Sequence, residues 1–309
     1  MQVISTKKIS LFTFLPEIFL MRGSRCRLYD CDREFINKNY LNNGEIMSKK
    51  LGLALGGGGA RGVVHVGFLK ALEEEGIKPY CISGTSMGAI VGACYASGMS
   101  VDTIRSEMLK LKTSDIIDFG VPFTRLSLLR SNKLQKLLIK HIGEITFENL
   151  EIPFSCTAVD LLNEKLYVFT EGLVAKGVQA SAAIPGVFKP IEHEGMLLVD
   201  GGVLCRVPVR QAKALGADVV VGIDAIKNTG DPVKELTSIP SVLMRVFDTL
   251  DNINVRAERR APDYPCDLLL EPELNGISQF AVKNLDKVYE EGYQLGKENI
   301  EKIKELIAD

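Results

Sequence analysis

The sequence contains no tryptophan, and only three of its 309 residues are histidine. No His-x-x-x-His or Cys-x-x-Cys pair occurs, so the usual spacings of zinc sites and thioredoxin-like redox centres are missing. The seven cysteines are scattered singly along the chain. This pattern favours a reducing compartment such as the cytoplasm over a disulfide-linked secreted domain. We therefore do not expect a metal site built from several histidines.

The sequence also has no large excess of positive or negative charge, and no hydrophobic run long enough to span a membrane. Lys and Arg number 37 and Asp and Glu number 39, which leaves a net charge of -2 and no positive field to hold nucleic acid. The apolar run at residues 9–21 is interrupted by Pro16 and Glu17 and is shorter than the roughly 20 residues that a spanning helix needs. No small-residue cleavage site follows it, so a signal peptide is not indicated either.

Residues 1–46 have no clear periodicity beyond that run. Met47 is a plausible translation start, because only a few residues separate it from the first predicted strand. The codons of the upstream pair Gly44-Glu45 can spell a purine-rich ribosome-binding sequence. We expect residues 1–46 to be a non-native leader or a disordered extension. Residues 47–309 are then predicted to form a single domain.

From residue 51 onward, short apolar runs alternate with segments of helical periodicity. An order of strand, helix, strand and helix favours an α/β fold with a mainly parallel central sheet and helices on its faces. Strands are predicted at 51–55, 80–83, 154–160, 166–169, 196–199, 219–224 and 267–270. Helices are predicted near 63–75, 87–96, 101–112, 133–141, 173–183, 209–215, 241–260 and 284–307.

A glycine-rich loop, residues 57–62 (GGGARG), directly follows the first predicted strand and opens a helix. Glycines let the backbone approach a ligand closely, and the helix N-terminus adds free N–H groups. Three interpretations remain open for this motif alone: a tight packing turn, a dinucleotide site of the G-x-G-x-x-G type, or an anion-binding loop. A dinucleotide site expects an acidic residue at the end of the next strand, where this sequence has Thr85.

A second motif, Gly84-Thr85-Ser86-Met87-Gly88, has the form G-x-S-x-G between a strand and a helix. In that context the sharp turn exposes a nucleophilic serine above the sheet, and the N–H of Met87 points towards an oxyanion. The simpler alternative is a glycine turn in which the serine caps a helix.

A third motif, Asp200-Gly201-Gly202, follows the predicted strand 196–199 and places an acid where α/β active sites gather. Taken alone, it is a common turn signal. A serine nucleophile needs a base, yet no histidine follows His193, so the Ser-Asp-His chain order of α/β-hydrolases is excluded. His65 alone is best explained by packing or a local hydrogen bond.

Together the three motifs resemble the patatin-like phospholipase family, over roughly residues 53–213. The segment 180–185 (ASAAIP) also resembles the stretch that precedes the D-G-G motif in this family. The similarity is strongest to compact bacterial members. It implies a three-layer α/β/α fold, with a catalytic core at about 53–213 and a C-terminal helical part at 236–309.

The resemblance also implies a serine lipid acyl hydrolase that works without a cofactor, through a dyad of Ser86 and Asp200. The expected substrate is an acyl lipid or other ester, as for a phospholipase A, lysophospholipase or carboxylesterase. The oxyanion hole is expected from the glycine loop and the residue after the nucleophile: Gly57, Gly58, Gly59, Arg61, Gly62 and Met87. The remaining motif glycines are expected to support these turns: Gly84, Gly88, Gly201 and Gly202.

Two other functions remain as alternatives: a dinucleotide-binding oxidoreductase and a non-catalytic regulatory protein. Two apolar segments bear on the substrate. One is residues 116–123, and the other is the predicted helix at 241–260, in which six apolar residues recur at helical spacing: Val242, Leu243, Val246, Phe247, Leu250 and Ile253. Each segment can line an acyl pocket, form a lid or make a peripheral membrane contact. The plainest expectation is that both pack in the core.

Overall fold

A mostly parallel sheet of eight strands organises the computed structural model of this chain. The structure describes residues 49–110, 131–226, 239–274, 277 and 284–308. The predicted leader at 1–46 and the apolar segment at 116–123 lie outside the described residues. In chain order the strands are β1 (Leu51–Leu55), β2 (Cys81–Gly84), β3 (Phe154–Asp160), β4 (Lys165–Phe169), β5 (Ile191–His193), β6 (Met196–Asp200), β7 (Val219–Ile223) and β8 (Leu268–Leu270).

The α-helices of the described residues lie between these strands and after the last of them. They are α1 (Val64–Glu74), α2 (Met87–Ala96), α3 (Val101–Lys110), α4 (Asn132–Ile142), α5 (Val174–Ser181), α6 (Val209–Ala214), α7 (Ile239–Arg259) and α8 (Leu285–Ile307). Two short 3-10 helices, Gly59–Val63 and Gly201–Val203, follow β1 and β6. In the described part of the chain, no helix is both long enough and apolar enough to cross a membrane.

Successive side chains of β1 pack into two different apolar cores, one on each face of the sheet. Leu53 and Leu55 belong to the larger core, which also includes residues of α1, α2 and α8. Ala54, on the opposite face, belongs to a smaller core with Val209 and Ala212 of α6. Since successive strand residues point to opposite faces, the sheet is covered on both sides, as a three-layer α/β/α fold requires.

Hydrogen-bonded pairing between strands follows the path β5-β6-β3-β2-β1-β7-β8, and β4 also pairs with β3. Strands β3, β2, β1, β7 and β8 are mutually parallel, whereas β4 and β6 run antiparallel to β3. The predicted α/β class with a mainly parallel sheet is confirmed.

The register of β3 explains how distant motifs meet. Strand β2 ends at Gly84, which pairs with Cys156 of β3. Strand β6 pairs with the next part of β3 and ends at Asp200 opposite Ala158, two residues further along. Because Cys156 and Ala158 each also pair with β4, β2 and β6 occupy the same side of β3. The chain that leaves β2 therefore runs directly towards the end of β6.

The predicted elements match the observed ones to within one or two residues at most ends. The exception is β5, which the sequence analysis missed. This strand has only three residues, two of them polar, and it pairs only with β6 at the edge of the sheet. So short and half-exposed a segment carries no period from which a strand can be predicted.

Candidate active site

Ser86 occupies a strained turn between β2 and α2. Its backbone has φ 54° and ψ -118°, a conformation that residues with a side chain rarely adopt. The Ser86 N–H donates to the Ser181 hydroxyl oxygen at 2.9 Å. A Cβ at Gly88 would collide with the Leu55 carbonyl of β1, so the turn can lie this close to β1 only with glycine there.

Thr85 fixes the same turn from its other side. Its hydroxyl lies 2.7 Å from the Thr157 hydroxyl and donates to the Cys205 carbonyl at 2.9 Å. Since Thr85 has only one hydroxyl hydrogen, Thr157 is the donor to Thr85. The turn is thereby tied both to β3 and to the segment that follows the D-G-G motif.

Asp200, at the end of β6, lines the same pocket as Ser86. Its Oδ1 also accepts the N–H of Gly202 at 2.8 Å, which fixes the orientation of the carboxyl group. Burial raises the pKa of Asp200 from its ordinary value of 3.8 to about 6, although the hydrogen bonds from Ser86 and Gly202 act in the opposite direction. A serine hydroxyl and a buried carboxyl group of raised pKa thus line one pocket.

The segment 180–185 holds both members of this pair. The Ser181 hydroxyl accepts the Ser86 N–H, and the Ala183 carbonyl accepts the Asp200 N–H at 2.9 Å. Ile184 lines the same pocket as the two side chains. Sequence similarity alone singled out this segment, and the structure shows its physical role, because it positions the two backbones relative to each other.

The glycine loop forms another wall of the pocket. Gly57, Gly58 and Gly59 all line it. The N–H of Gly57 already donates to the Arg206 carbonyl at 3.0 Å, so it is not free for a ligand. Within the described residues, no acceptor takes the N–H of Gly58 or Gly59. These two amides are the available donors of the loop.

The other residues expected at the oxyanion hole, Arg61, Gly62 and Met87, are not among the residues that line the pocket. The Arg61 Nε donates to the Ile277 carbonyl at 2.7 Å, which braces the loop against the C-terminal part of the chain. Gly62 packs directly on the side chain of Met87, where a Cβ would not fit. The N–H of Met87 belongs to the first turn of α2, whose amides have no partner within the helix.

The glycines expected to support the turns are all tightly packed. Gly84 lies against the backbone of Ala89, and Gly201 lies against Thr157 of β3. Gly202 lies beside Asp200 and lines the pocket. The three motifs are thus brought together at the carboxyl edge of the parallel strands, and the residues that line the pocket are Gly57, Gly58, Gly59, Ser86, Ile184, Asp200, Gly202, Arg206, Ile226, Phe247 and Asp251.

Sequence reasoning missed a buried ionic cluster beside the pocket. The Arg206 guanidinium pairs with Asp224 at 3.1 Å and with Asp251 at 2.8 Å, and all three side chains are buried. Arg259 also pairs with Asp224 and, at 2.7 Å, with Glu271. The available signal was Asp224, an acid at the carboxyl end of a buried strand, the same kind of position as Asp200.

The cluster contacts the glycine loop through Arg206, whose carbonyl accepts the Gly57 N–H. Burial raises the pKa of Asp251 to about 7, with Arg206 acting in the opposite direction. We infer that the ionic cluster fixes the position of residue 206 and thereby of the loop.

The three histidines have partners other than Ser86. The His65 ring is buried, and its Nε2 lies 2.8 Å from the Gly56 carbonyl. Burial lowers the pKa of His65 to about 4, so the ring is neutral and donates its Nε2–H to this carbonyl. His141 lies beside Glu107, and His193 beside Tyr167. Among the described residues, no three acidic, histidine or cysteine side chains converge as metal ligands.

The expectation that the apolar residues of the helix at 241–260, observed as α7, pack in the core is partly wrong. Val242, Val246, Leu250 and Ile253 of α7 are exposed rather than packed in the core. Phe247 of the same helix reaches the pocket. The core therefore does not explain the apolar spacing of α7.

Comparison with curated proteins finds relatives that are much longer than this chain. "Lysophospholipase nte1" of Emericella nidulans is 28% identical over 288 aligned residues, which cover 84% of this chain and 18% of that protein. "Lysophospholipase NTE1" of Coccidioides immitis is 29% identical over 284, with the same coverage. The chain thus spans about a fifth of the length of these relatives.

Comparison with solved structures finds VipD from Legionella pneumophila, with a TM-score of 0.47 and 15% identity over 84% of this chain and 67% of that one. Full-length ExoU from Pseudomonas aeruginosa aligns with a TM-score of 0.44 and 15% identity, over 86% of this chain and 54% of that one.

Comparison with family models gives a match over the segment that carries all three motifs. The model described as "Patatin-like phospholipase" matches residues 53–213, which is more than half of the chain. This chain belongs to the patatin-like phospholipase family.

Proposed function

We propose that this domain is a serine hydrolase of acyl lipids, which cleaves the carboxylic ester bond of phospholipids or lysophospholipids. The observation that carries the proposal is that Ser86, in its strained turn, and the buried Asp200 line one pocket walled by the glycine loop, where the Ser86 hydroxyl acts to lower the pKa of Asp200. The names of the fungal relatives, lysophospholipases, support a lipid ester as the substrate class.

In the proposed mechanism, the Ser86 oxygen attacks the ester carbonyl carbon and its proton moves to the Asp200 carboxylate. Collapse of the tetrahedral intermediate breaks the ester bond, and the departing alcohol takes the proton from Asp200. The acyl group remains on Ser86. Water then attacks the acyl-enzyme in the same way, with Asp200 again accepting and returning the proton.

The environment of Asp200 suits the role of a general base. A carboxyl group with a pKa near 4 is a weak base, and proton transfer is more efficient when the pKa lies nearer the working pH. Burial has moved the pKa of Asp200 to about 6. The Gly202 N–H donates to one carboxyl oxygen of Asp200 and thereby fixes the orientation of the carboxyl group.

The oxyanion is assigned to the N–H groups of Gly58 and Gly59. Both residues line the pocket with Ser86, and a pair of fixed amides is the usual means of stabilising a tetrahedral oxyanion. Loss of one such donor typically costs about 3–4 kcal/mol of transition-state stabilisation. Gly57 is assigned to the frame of the loop, because its N–H is already bonded to Arg206.

The direct test is fatty acid release from lysophosphatidylcholine and from a short-chain soluble ester. Ser86→Ala and Asp200→Asn should each lower the rate at least about 10³-fold, as loss of a dyad member does in serine hydrolases. Ser97→Ala is the matched control, because Ser97 ends the same helix and its hydroxyl donates to the Cys94 carbonyl. It should keep the wild-type rate.

Circular dichroism of each variant shows whether the fold is retained. Esterase activity within tenfold of wild type in a folded Ser86→Ala or Asp200→Asn protein would refute the dyad. Hydrolysis of the soluble ester without any release of fatty acid from the lipid would restrict the proposal to a general carboxylesterase.

A further inference from the structure

One face of α7 presents a continuous apolar stripe to solvent. Val242, Val246, Leu250 and Ile253 are each between 42% and 56% exposed. Successive helical residues are about 100° apart, so these four side chains fall within an arc of about 80°. They extend over about 16 Å of the helix axis. Large apolar side chains gathered in this way on a surface mark an interaction site.

The charges of α7 are divided about this stripe. Arg245 and Arg256, both exposed, fall on one flank of it within about 60°. The acids of the helix, Asp248, Asp251 and Glu258, lie on the other side of the helix. The chain as a whole carries a net charge of -2, so this basic edge is a local feature. An apolar face bordered by arginines is the pattern of a helix that lies on an anionic lipid surface.

Helix α7 also reaches the catalytic pocket. Phe247, next to Val246 in the chain, lines that pocket, and its ring approaches the position that a Cβ of Gly202 would occupy to 3.4 Å. The Asn254 side chain donates to the Val203 carbonyl at 3.1 Å, which anchors the helix to the D-G-G segment. A lipid that leaves a membrane beneath α7 therefore has a short path to Ser86.

We propose that α7 docks this domain on an anionic lipid bilayer, with Val242, Val246, Leu250 and Ile253 inserted at the interface and Arg245 and Arg256 at the headgroups. This inference rests on the proposed function, since it names the surface from which the substrate is taken. A protein partner or a second copy of the chain is less well matched, because within α7 the stripe is bordered by arginines and not by acids.

The test measures binding of the full chain to vesicles in the Ser86→Ala background, so that no lipid is consumed. Vesicles of phosphatidylcholine with phosphatidylglycerol are compared with vesicles of phosphatidylcholine alone. Val246→Ser with Leu250→Ser should lower affinity for the mixed vesicles at least about tenfold. Arg245→Gln with Arg256→Gln should lower it about fivefold or more, and only when phosphatidylglycerol is present.

Leu162→Ser is the matched control, because Leu162 is 63% exposed but lies on the turn between β3 and β4. It should bind vesicles like the parent protein. The same two double variants, made with Ser86 intact, should hydrolyse a soluble ester normally but release less fatty acid from mixed vesicles.

Each outcome bears on one claim. Vesicle binding that survives the Val246/Leu250 change, or that Leu162→Ser lowers equally, would overturn the assignment to α7. A shift from dimer to monomer in that double variant, without any loss of vesicle binding, would assign the stripe to self-association instead. If vesicle binding behaves as expected but no ester is cleaved, the proposed function fails while the docking surface stands.

Discussion

Replacement of Asp200 by Asn should abolish hydrolysis and, at pH 8, stabilise the folded domain. The carboxyl group is buried, and its pKa of about 6 shows that the fold disfavours its charged form. Asn has nearly the same shape and no charge. Its Oδ1 can still accept the Gly202 N–H, so the substitution removes the charge with little change in packing.

The size of the effect follows from the pKa. Each pKa unit corresponds to about 1.4 kcal/mol, so a rise from 3.8 to about 6 corresponds to about 3 kcal/mol. The folded state binds a proton at Asp200 more tightly than the unfolded chain does. Stability from this group is therefore fully present below the unfolded pKa and is lost as pH rises through the folded one.

The assay is urea denaturation of wild type and Asp200→Asn at several pH values. The variant should be more stable by up to about 3 kcal/mol at pH 8, by roughly half of that near pH 5, and by nothing below the unfolded pKa. Asp286→Asn is the control, because this carboxylate is 76% exposed at the start of α8. Its effect should stay below about 1 kcal/mol at every pH.

An Asp200→Asn protein that is less stable than wild type at pH 8 would refute this reasoning. A gain that does not shrink as the pH falls would also refute it, because burial of the charge would then not be the cause. A substitution that abolishes activity but increases stability indicates that the original side chain is needed for catalysis and is not needed for folding.

Three further outcomes are expected. The kcat/KM for a soluble ester should fall about tenfold per pH unit below about pH 6, since protonated Asp200 cannot accept a proton; a profile flat to pH 4.5 would contradict this. Gly88→Ala should cost more than about 3 kcal/mol in thermal or chemical unfolding, because its Cβ collides with the Leu55 carbonyl. Asp224→Asn should cost about 1.5–3 kcal/mol in the same measurement, because it removes one of the two carboxylates that pair with the buried Arg206.

The last two predictions have controls within the chain. Gly195→Ala introduces a Cβ into open space, so only its positive φ opposes the change and the cost should be about 1 kcal/mol. Asp263→Asn removes a carboxylate that is 74% exposed and paired with Arg210. Its cost should stay below about 1 kcal/mol. If either control is as costly as its counterpart, the collision or the burial is not the cause.

Much of the fold could be predicted because strands and helices leave local periodicity. The run 51–55, ended by glycines, is a buried strand, and the helical spacing of Val64, Phe68 and Leu72 places them on the buried face of α1. β5 could not be predicted, since three half-exposed residues at a sheet edge have no period of their own. Strand order was beyond the sequence too, because it depends on pairings between residues far apart in the chain.

The motifs of the candidate site could be found in the sequence for a related reason. Ser86 and Asp200 are each embedded in glycines that the turns require, and such glycines are visible in the sequence. Arg206, Asp224 and Asp251 are ion pairs made by tertiary contact, and no spacing rule links their positions. The tie from Ser181 to the Ser86 amide is of the same kind. Residues that interact only through tertiary contacts leave no recognisable pattern in the sequence.

Treatment of the full chain with a fluorophosphonate, followed by the mass of the intact protein and peptide mapping, locates the nucleophile. We expect a single adduct on Ser86, absent from Ser86→Ala, greatly slowed in Asp200→Asn, and formed at the normal rate in Ser97→Ala. An adduct on another residue, or unchanged labelling when Asp200 is replaced, would contradict a nucleophile at position 86 activated by the carboxyl group beside it.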